Sequence, residues 1–240
     1  MSTVAQSLTR AFAALFEPRI LALLLLPPLG SLLLWVVLGW LFWDAWTGMV
    51  RGALGLTTVA GWLADWNALW VIDYTAVIAV LVAILPAMLV TALLVTEIVA
   101  MPVIVRWVAE RYHPELRRAA GGSVAGSMVN ALFAIVVFML LWILTLPLWL
   151  TGIGAFVAPL LNSAWLNQRL FRYDALADHA TGEEMAQITA TERGPLFMLG
   201  VALSLLLYVP VLNLAVPVLS GLAFTHFCLG RLAARRAAAS

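Results

Sequence analysis

The sequence predicts an all-α integral membrane protein with two long transmembrane helices, two re-entrant (half-penetrating) helical hairpins and an N-terminal interfacial helix, in a single membrane domain. Three observations carry that expectation. Of 240 residues, 64% are hydrophobic and 10% charged, with a mean hydropathy of +1.04; a soluble domain is about half apolar and about a quarter charged. The apolar residues fall into long blocks, and the last two blocks are split in the middle by proline and glycine. All but one of the arginines lie where a cytoplasmic surface would put them.

Each element follows in order. Val4, Leu8, Phe12 and Phe16 recur every four positions, with Leu15 beside them and Arg10 off the stripe. That spacing predicts a short amphipathic helix over 1–18, lying in the membrane interface. Pro18 opens the first long apolar run, where its missing N–H costs least. Ile20 to Trp43 carries no charge and is about 36 Å long as helix, enough to cross a ~30 Å hydrocarbon core with tilt. No small-residue cleavage site follows it, so the run is expected to stay in the membrane. From Asp44 to Asp73, Trp46, Trp62, Trp66 and Trp70 alternate with glycines and aspartates, a composition suited to the headgroup layer. A second run, Tyr74 to Val105, exceeds one crossing and contains Pro86, Glu97 and Pro102. It reads as one long helix that protrudes from the bilayer, with Pro86 the place where it would kink. Gly121, Gly122 and Gly126 then mark a flexible turn.

The block 129–168 is broken by Pro147 and by Thr151-Gly152-Ile153-Gly154, and the block 197–229 by Val209-Pro210-Val211-Leu212-Asn213 and Pro217. In the second block the arms are about 18–24 Å of helix, short of a full crossing. Half-penetrating hairpins fit those lengths better than four full spans. Arginines precede the first helix, follow the second, separate the split blocks in the loop 169–195 and close the chain in the basic tail 230–240, leaving Arg51 alone in the Trp-rich segment. The positive-inside rule places both termini and the polar loops in the cytoplasm and the Trp-rich segment outside.

Composition also excludes functions. A net charge of +1 leaves no basic face for nucleic acid. A single cysteine, Cys228, rules out an intrachain disulfide and a thiolate metal cluster. All thirteen Lys/Arg positions are arginine, which reads as the imprint of a GC-rich bacterial genome. No H-E-x-x-H, Gly-rich phosphate loop or Ser/His/Asp grouping is present, so neither an enzyme, a cofactor nor a metal is expected.

Few residues carry chemistry. Glu97 is a carboxylate inside an apolar run; such groups mark ion or proton paths, or else the helix is long enough to bring it to the interface beside an arginine. Arg19 at the start of the first long helix combines a guanidinium with free backbone N–H groups and the positive end of the helix dipole, a ready anion site; its other reading is an ordinary positive-inside anchor. Asn162, Asn167 and Gln168 line a wet path or hydrogen-bond between helices. His226 reads as a core histidine. The loop 169–195, with Arg169, Arg172 and Arg193 among acidic residues, reads as a solvated cytoplasmic helix with caps.

Phe16-Glu17-Pro18-Arg19-Ile20 leading into Leu26-Pro27-Pro28-Leu29 resembles the start of the CysZ family of bacterial sulfate-uptake proteins, grouped with the eukaryotic etoposide-induced protein. Thr151-Gly152-Ile153-Gly154-Ala155-Phe156-Val157-Ala158-Pro159 is similar to that family's Gly-x-Gly turn and Val-Ala-Pro. Val209-Pro210-Val211-Leu212-Asn213-Leu214 with Pro217 resembles its hairpin tip, and Arg172-Tyr173-Asp174 loosely its cytoplasmic loop. The resemblance implies two long spans, two half-penetrating hairpins and a homo-oligomer in the bacterial inner membrane that passes sulfate or a similar small anion without a nucleotide. It also implies an anion site at the Pro18 turn, formed by Pro18, Arg19 and Ile20. There the family shows a glycine and a pair of arginines, whereas this chain has Arg19 alone, followed by Leu21 and Ala22. Glu97, Asn162 and Asn213 are the candidates for the interior path. The rival expectation is a membrane scaffold that organises lipid or partner proteins and transports nothing.

Overall fold

The computed structural model describes residues 3–119 and 121–239, without the side chains at 86, 89, 90, 92–94, 96–98, 124, 211 and 239. The described residues form ten helices and no strand: α1 (Val4–Leu15), α2 (Pro18–Gly55), α3 (Thr58–Asp65), α4 (Trp70–Tyr112), α5 (Val124–Trp149), α6 (Ile153–Ala177), α7 (Gly182–Thr191), α8 (Arg193–Leu206), α9 (Pro210–Asn213) and α10 (Val216–Ala239). Three of them are long and apolar enough to cross a membrane: α2, α5 from Ala125, and α10 to Ala238. Their surroundings differ. In its most apolar stretch α5 is 6% buried within the protein, and α10 is 78% buried. A helix long and apolar enough to cross a membrane can thus be either bare or enclosed by the rest of the chain.

The helices overrun the apolar runs. α2 continues past Trp43 to Gly55, 38 residues in all, or about 57 Å at 1.5 Å per residue. Asp44, Gly48 and Gly52 lie within it and do not stop it, since a single glycine in a helix costs only about 1 kcal/mol. α4 is an unbroken 43-residue helix through positions 86 and 102. The side chains of Pro86 and Glu97 lie outside the described residues.

The chain divides into two compact units, residues 25–95 and residues 1–24 with 96–240. In the first, Ser31 Oγ donates to the Met88 carbonyl at 2.7 Å, and Trp35 Nε1 donates to Thr91 Oγ1 at 3.1 Å. These bonds tie α2 to α4 where apolar packing alone would leave their register loose. Nearer the connection, Arg51 Nε pairs with Asp73 Oδ1 at 3.0 Å, and the Trp62 and Trp66 rings lie 5.2 Å apart along α3.

In the second unit α10 is the axis. Leu219, Leu222, Phe224, Phe227, Leu229 and Leu232 have no exposed surface and are covered by α1, α6, α8 and the end of α4. Phe224 stacks on Phe171 of α6, with centroids 6.0 Å apart and planes 11° apart. A Cβ on Gly200 of α8 would meet the Ala164 carbonyl oxygen of α6 at 2.5 Å; only glycine permits that approach. α1 begins with a capping box: Thr3 Oγ1 accepts from the Gln6 N–H and Gln6 Oε1 from the Thr3 N–H, both at 3.2 Å. Ser7, Ala11 and Ala14 are its buried face, Val4, Leu8, Phe12 and Leu15 flank the core, and Phe16 is exposed. The small residues, roughly 90° round from the apolar stripe at 3.6 residues per turn, set the face because they allow the closest approach to α10.

Both predicted breaks occur. α5 and α6 turn through Leu150–Gly152, where Gly152 takes φ +74°, the left-handed region that favours glycine. Pro147 lies within the last turn of α5 rather than at the break. α8 and α10 are joined through 207–215, which contains α9. The glycine turn after α4 is not a loose tether. Gly121 N–H donates to the Ala180 carbonyl and Gly122 N–H to that of Ala177, both at 2.9 Å. A Cβ on Gly122 would meet Ala177 Cβ at 2.5 Å. These glycines serve close backbone approach, not mobility.

Candidate functional site

The turn between α1 and α2 holds the three residues expected to bind an anion. Pro18, without an N–H, is the first residue of α2. The Glu17 carbonyl accepts from the N–H groups of Ile20 at 3.0 Å and Leu21 at 2.9 Å. Only the Arg19 N–H of this first turn has no acceptor among the described residues. Pro18 and the Arg19 side chain are exposed, and that guanidinium has no ion pair or hydrogen bond among the described residues. Ile20 is 0% exposed and belongs to the core. It anchors the start of α2, while Arg19 alone offers a cation and a backbone donor to solvent.

Beside them stands a carboxylate that the motif reading passed over. Glu17 Oε1 pairs with Arg111 Nη2 at 3.1 Å, joining the α1–α2 turn to the last turn of α4. A carboxylate at a helix N-terminus is favourable in itself, and this one adds a negative charge next to the turn in sequence while pairing with Arg111. The sequence signal was its position immediately before Pro18; its partner, remote in sequence, had none.

Asn162 and Asn213 lie on different elements from Arg19. Asn162 is 6% exposed, and its Nδ2 donates to Thr145 Oγ1 of α5 at 3.1 Å. Thr145 Oγ1 in turn donates to the Leu141 carbonyl at 2.7 Å. This pair, with Thr151, supplies the polar side chains of a cleft of about 270 Å³ at the α5–α6 turn that is otherwise lined by apolar residues such as Leu148, Ile153, Val157 and Leu161. No charged side chain lines it, and its lining is mostly apolar. Asn213 is exposed at the end of α9, its N–H donating to the Val209 carbonyl at 2.9 Å. Asn167 Nδ2 donates to Ser204 Oγ at 3.3 Å, linking α6 to α8.

A second polar centre, unforeseen in the sequence, closes the polar end of the unit. Arg236 in the last turns of α10 donates through Nε and Nη2 to the two oxygens of Glu184, both at 2.8 Å. It also donates from Nη1 to the Arg117 carbonyl at 2.9 Å and from Nη2 to the His179 carbonyl at 2.8 Å. One side chain thus ties α10, the α4–α5 loop and the α6–α7 loop together. The bonds from Arg236, strengthened by the Thr181 N–H, pull the Glu184 carboxyl down to about 2. Burial, with the positive charges of Arg118 and Arg236, lowers His179 despite the opposing effect of Asp178. Burial and Arg10 lower His113.

Among the described residues no group of three or more His, Cys, Asp or Glu side chains has the geometry to hold a metal ion. Neither a curated protein nor a solved structure matches the chain. One family model does, over residues 7–217, from α1 through both split blocks into the start of α10; its description is Sulfate transporter CysZ/Etoposide-induced protein 2.4. With nearly the whole chain matched, and with helices long and apolar enough to cross a bilayer, this multi-pass membrane protein belongs to the CysZ/etoposide-induced protein 2.4 family.

Proposed function

We propose that the protein is a permease of the bacterial inner membrane that passes sulfate or a similar small oxyanion, passively or coupled to an ion, as a homo-oligomer. In this reading α2 and α4 cross the bilayer, α5–α6 and α8–α10 enter it as hairpins, and α1 lies at the interface with both termini cytoplasmic. The observation that carries the proposal is the match across residues 7–217 to a family whose description begins with a sulfate transporter. The exposed, unpaired Arg19 at the start of α2 supplies the chemistry such an entry needs: a guanidinium, a free N–H and the positive end of a helix. Glu97, Asn162 and Asn213 remain the candidates for the interior path.

The test is sulfate uptake by liposomes holding the purified protein. The expected result is saturable flux that Arg19→Gln lowers about tenfold, the loss of one charge-assisted contact. Flux that survives Arg19→Gln and shows no preference for oxyanions over chloride would remove the sulfate assignment.

A non-transporting scaffold is the second reading, and Glu17 is the observation that favours it. Its carbonyl already accepts from the Ile20 and Leu21 N–H groups, and its carboxylate, paired with Arg111, puts a negative charge one residue before Pro18. Wild-type protein without any anion flux would put this reading first.

A further inference from the structure

The geometry points to an anion-binding site at the polar end of α6, built from Arg169 and Arg172 with Arg193 at its rim. Its ligand is a tetrahedral oxyanion group, free sulfate or phosphate or the phosphate of a lipid headgroup. It is separate from the Arg19 turn.

The argument rests on charge without compensation. Arg169 and Arg172 are three apart on one helix, so their side chains share a face, and like charges at that spacing repel. Both are partly buried. Arg193 opens α8, which packs against α6, and lies within electrostatic reach of Arg172. The four ion pairs of the described residues use Arg51, Arg111, Arg231 and Arg236 and none of these three. The two carboxylates nearest in sequence are engaged elsewhere: Asp174 Oδ1 accepts from Ser127 Oγ, and Glu192 Oε1 pairs with Arg231 Nε at 3.3 Å. Burial first, then the charges of Arg169 and Arg193, disfavour the charge on Arg172.

The donors are held and left unused. The guanidinium of Arg169 sits 4.5 Å over the Phe133 ring and 6.0 Å from that of Trp165. Stacking fixes its plane but satisfies none of its N–H groups, and its buried Nε has no acceptor among the described residues. Asn130 Nδ2 donates to the Arg169 carbonyl at 3.2 Å, holding this turn of α6 against α5. Arg172 donates from Nη1 to Gln168 Oε1 at 3.2 Å, a neutral acceptor that leaves the charge unanswered. A partly buried guanidinium is costly without an anionic or hydrogen-bonding partner. The planar forks of two arginines match the oxygens of a sulfate or phosphate group.

Binding is read without flux, so the proposal stands apart from the permease reading. The full-length protein in uncharged detergent is titrated with radiolabelled sulfate and with inorganic phosphate. It is also placed in nanodiscs of phosphatidylcholine with and without phosphatidylglycerol, and retained lipid is counted by native mass spectrometry. A free oxyanion as ligand gives a sulfate or phosphate binding step that weakens about tenfold or more in Arg169→Gln/Arg172→Gln, weakens less in Arg193→Gln, and is still present in Arg19→Gln. A lipid headgroup as ligand gives no free-anion binding but preferential retention of phosphatidylglycerol, lost in the same double variant. Either result supports the site. Equal binding of all three probes by wild type and double variant overturns it. Thermal midpoints without anion guard against simple unfolding: uncompensated repulsion predicts that Arg172→Gln melts at or above the wild-type temperature. A lower midpoint makes Arg172 a structural residue and also overturns the proposal.

Discussion

Tyr208 and Phe156 fasten one hairpin turn to the other. Tyr208 Oη, just after α8, donates to the Phe156 carbonyl at 3.1 Å near the start of α6, and the two rings lie 4.5 Å apart. A residue of one split block thus closes on the break of the other, 52 positions away.

Removing that hydroxyl is expected to cost about 1 kcal/mol, the usual net value of one such bond. Tyr208→Phe should lower the melting midpoint in detergent slightly, and Tyr208→Ala clearly more, since the ring contact adds roughly 0.5–1.5 kcal/mol. Equal midpoints for both variants and wild type would mean that the two turns are not coupled.

Gly200→Ala is expected to destabilise by about 1–3 kcal/mol, the range for overpacking. The added methyl meets a carbonyl oxygen of α6 rather than a flexible side chain. Gly194→Ala, where a Cβ meets nothing, should melt close to wild type; the pair is compared by thermal unfolding.

Acid should weaken the polar end in two stages. His113 and His179 have lowered values in the folded state. The unfolded chain therefore takes up their protons first, and stability falls as pH drops below about 6.5. Glu184 is also depressed, to about 2. Its contribution is full above the ordinary value of 4.5 and is lost as pH falls from there towards 2. Glu184→Gln should cost about 2 kcal/mol at pH 7 and flatten the second stage only; chemical unfolding at a series of pH values reads both.

Thr145→Val is expected to destabilise by about 1–3 kcal/mol, because it leaves the buried Asn162 amide without its acceptor. Thr145→Val/Asn162→Leu should recover part of that loss, as the unpaired polar group is gone. Unfolding measured as a double-mutant cycle decides the point.

Helices, their breaks and the family were legible because each has a local cause. Pro18 at the head of α2, Gly152 in the α5–α6 turn and Pro210 at the head of α9 act on the backbone where they stand. The rest was not, because its cause is remote. Nothing beside Glu17 announces Arg111, and nothing beside Arg236 announces Glu184, His179 and the Arg117 carbonyl. Gly121 and Gly122 resemble a flexible linker until Ala177 and Ala180 are seen against them.

The sequence by itself determined that the chain is helical, apolar and membrane-bound, because hydropathy and run length are properties of a segment alone. It also determined where the two split blocks turn, since glycine and proline impose that locally. Only the tertiary structure decided which apolar helix is enclosed by protein. α5 and α10 are both long and apolar enough to cross a membrane, with α5 the more apolar, and only the packing shows α10 covered on most sides and α5 nearly bare. Burial depends on what other segments bring to a helix, which its own residues record only in part. For the same reason only the structure distinguished the arginines with carboxylate partners from Arg169 and Arg172, which have none among the described residues.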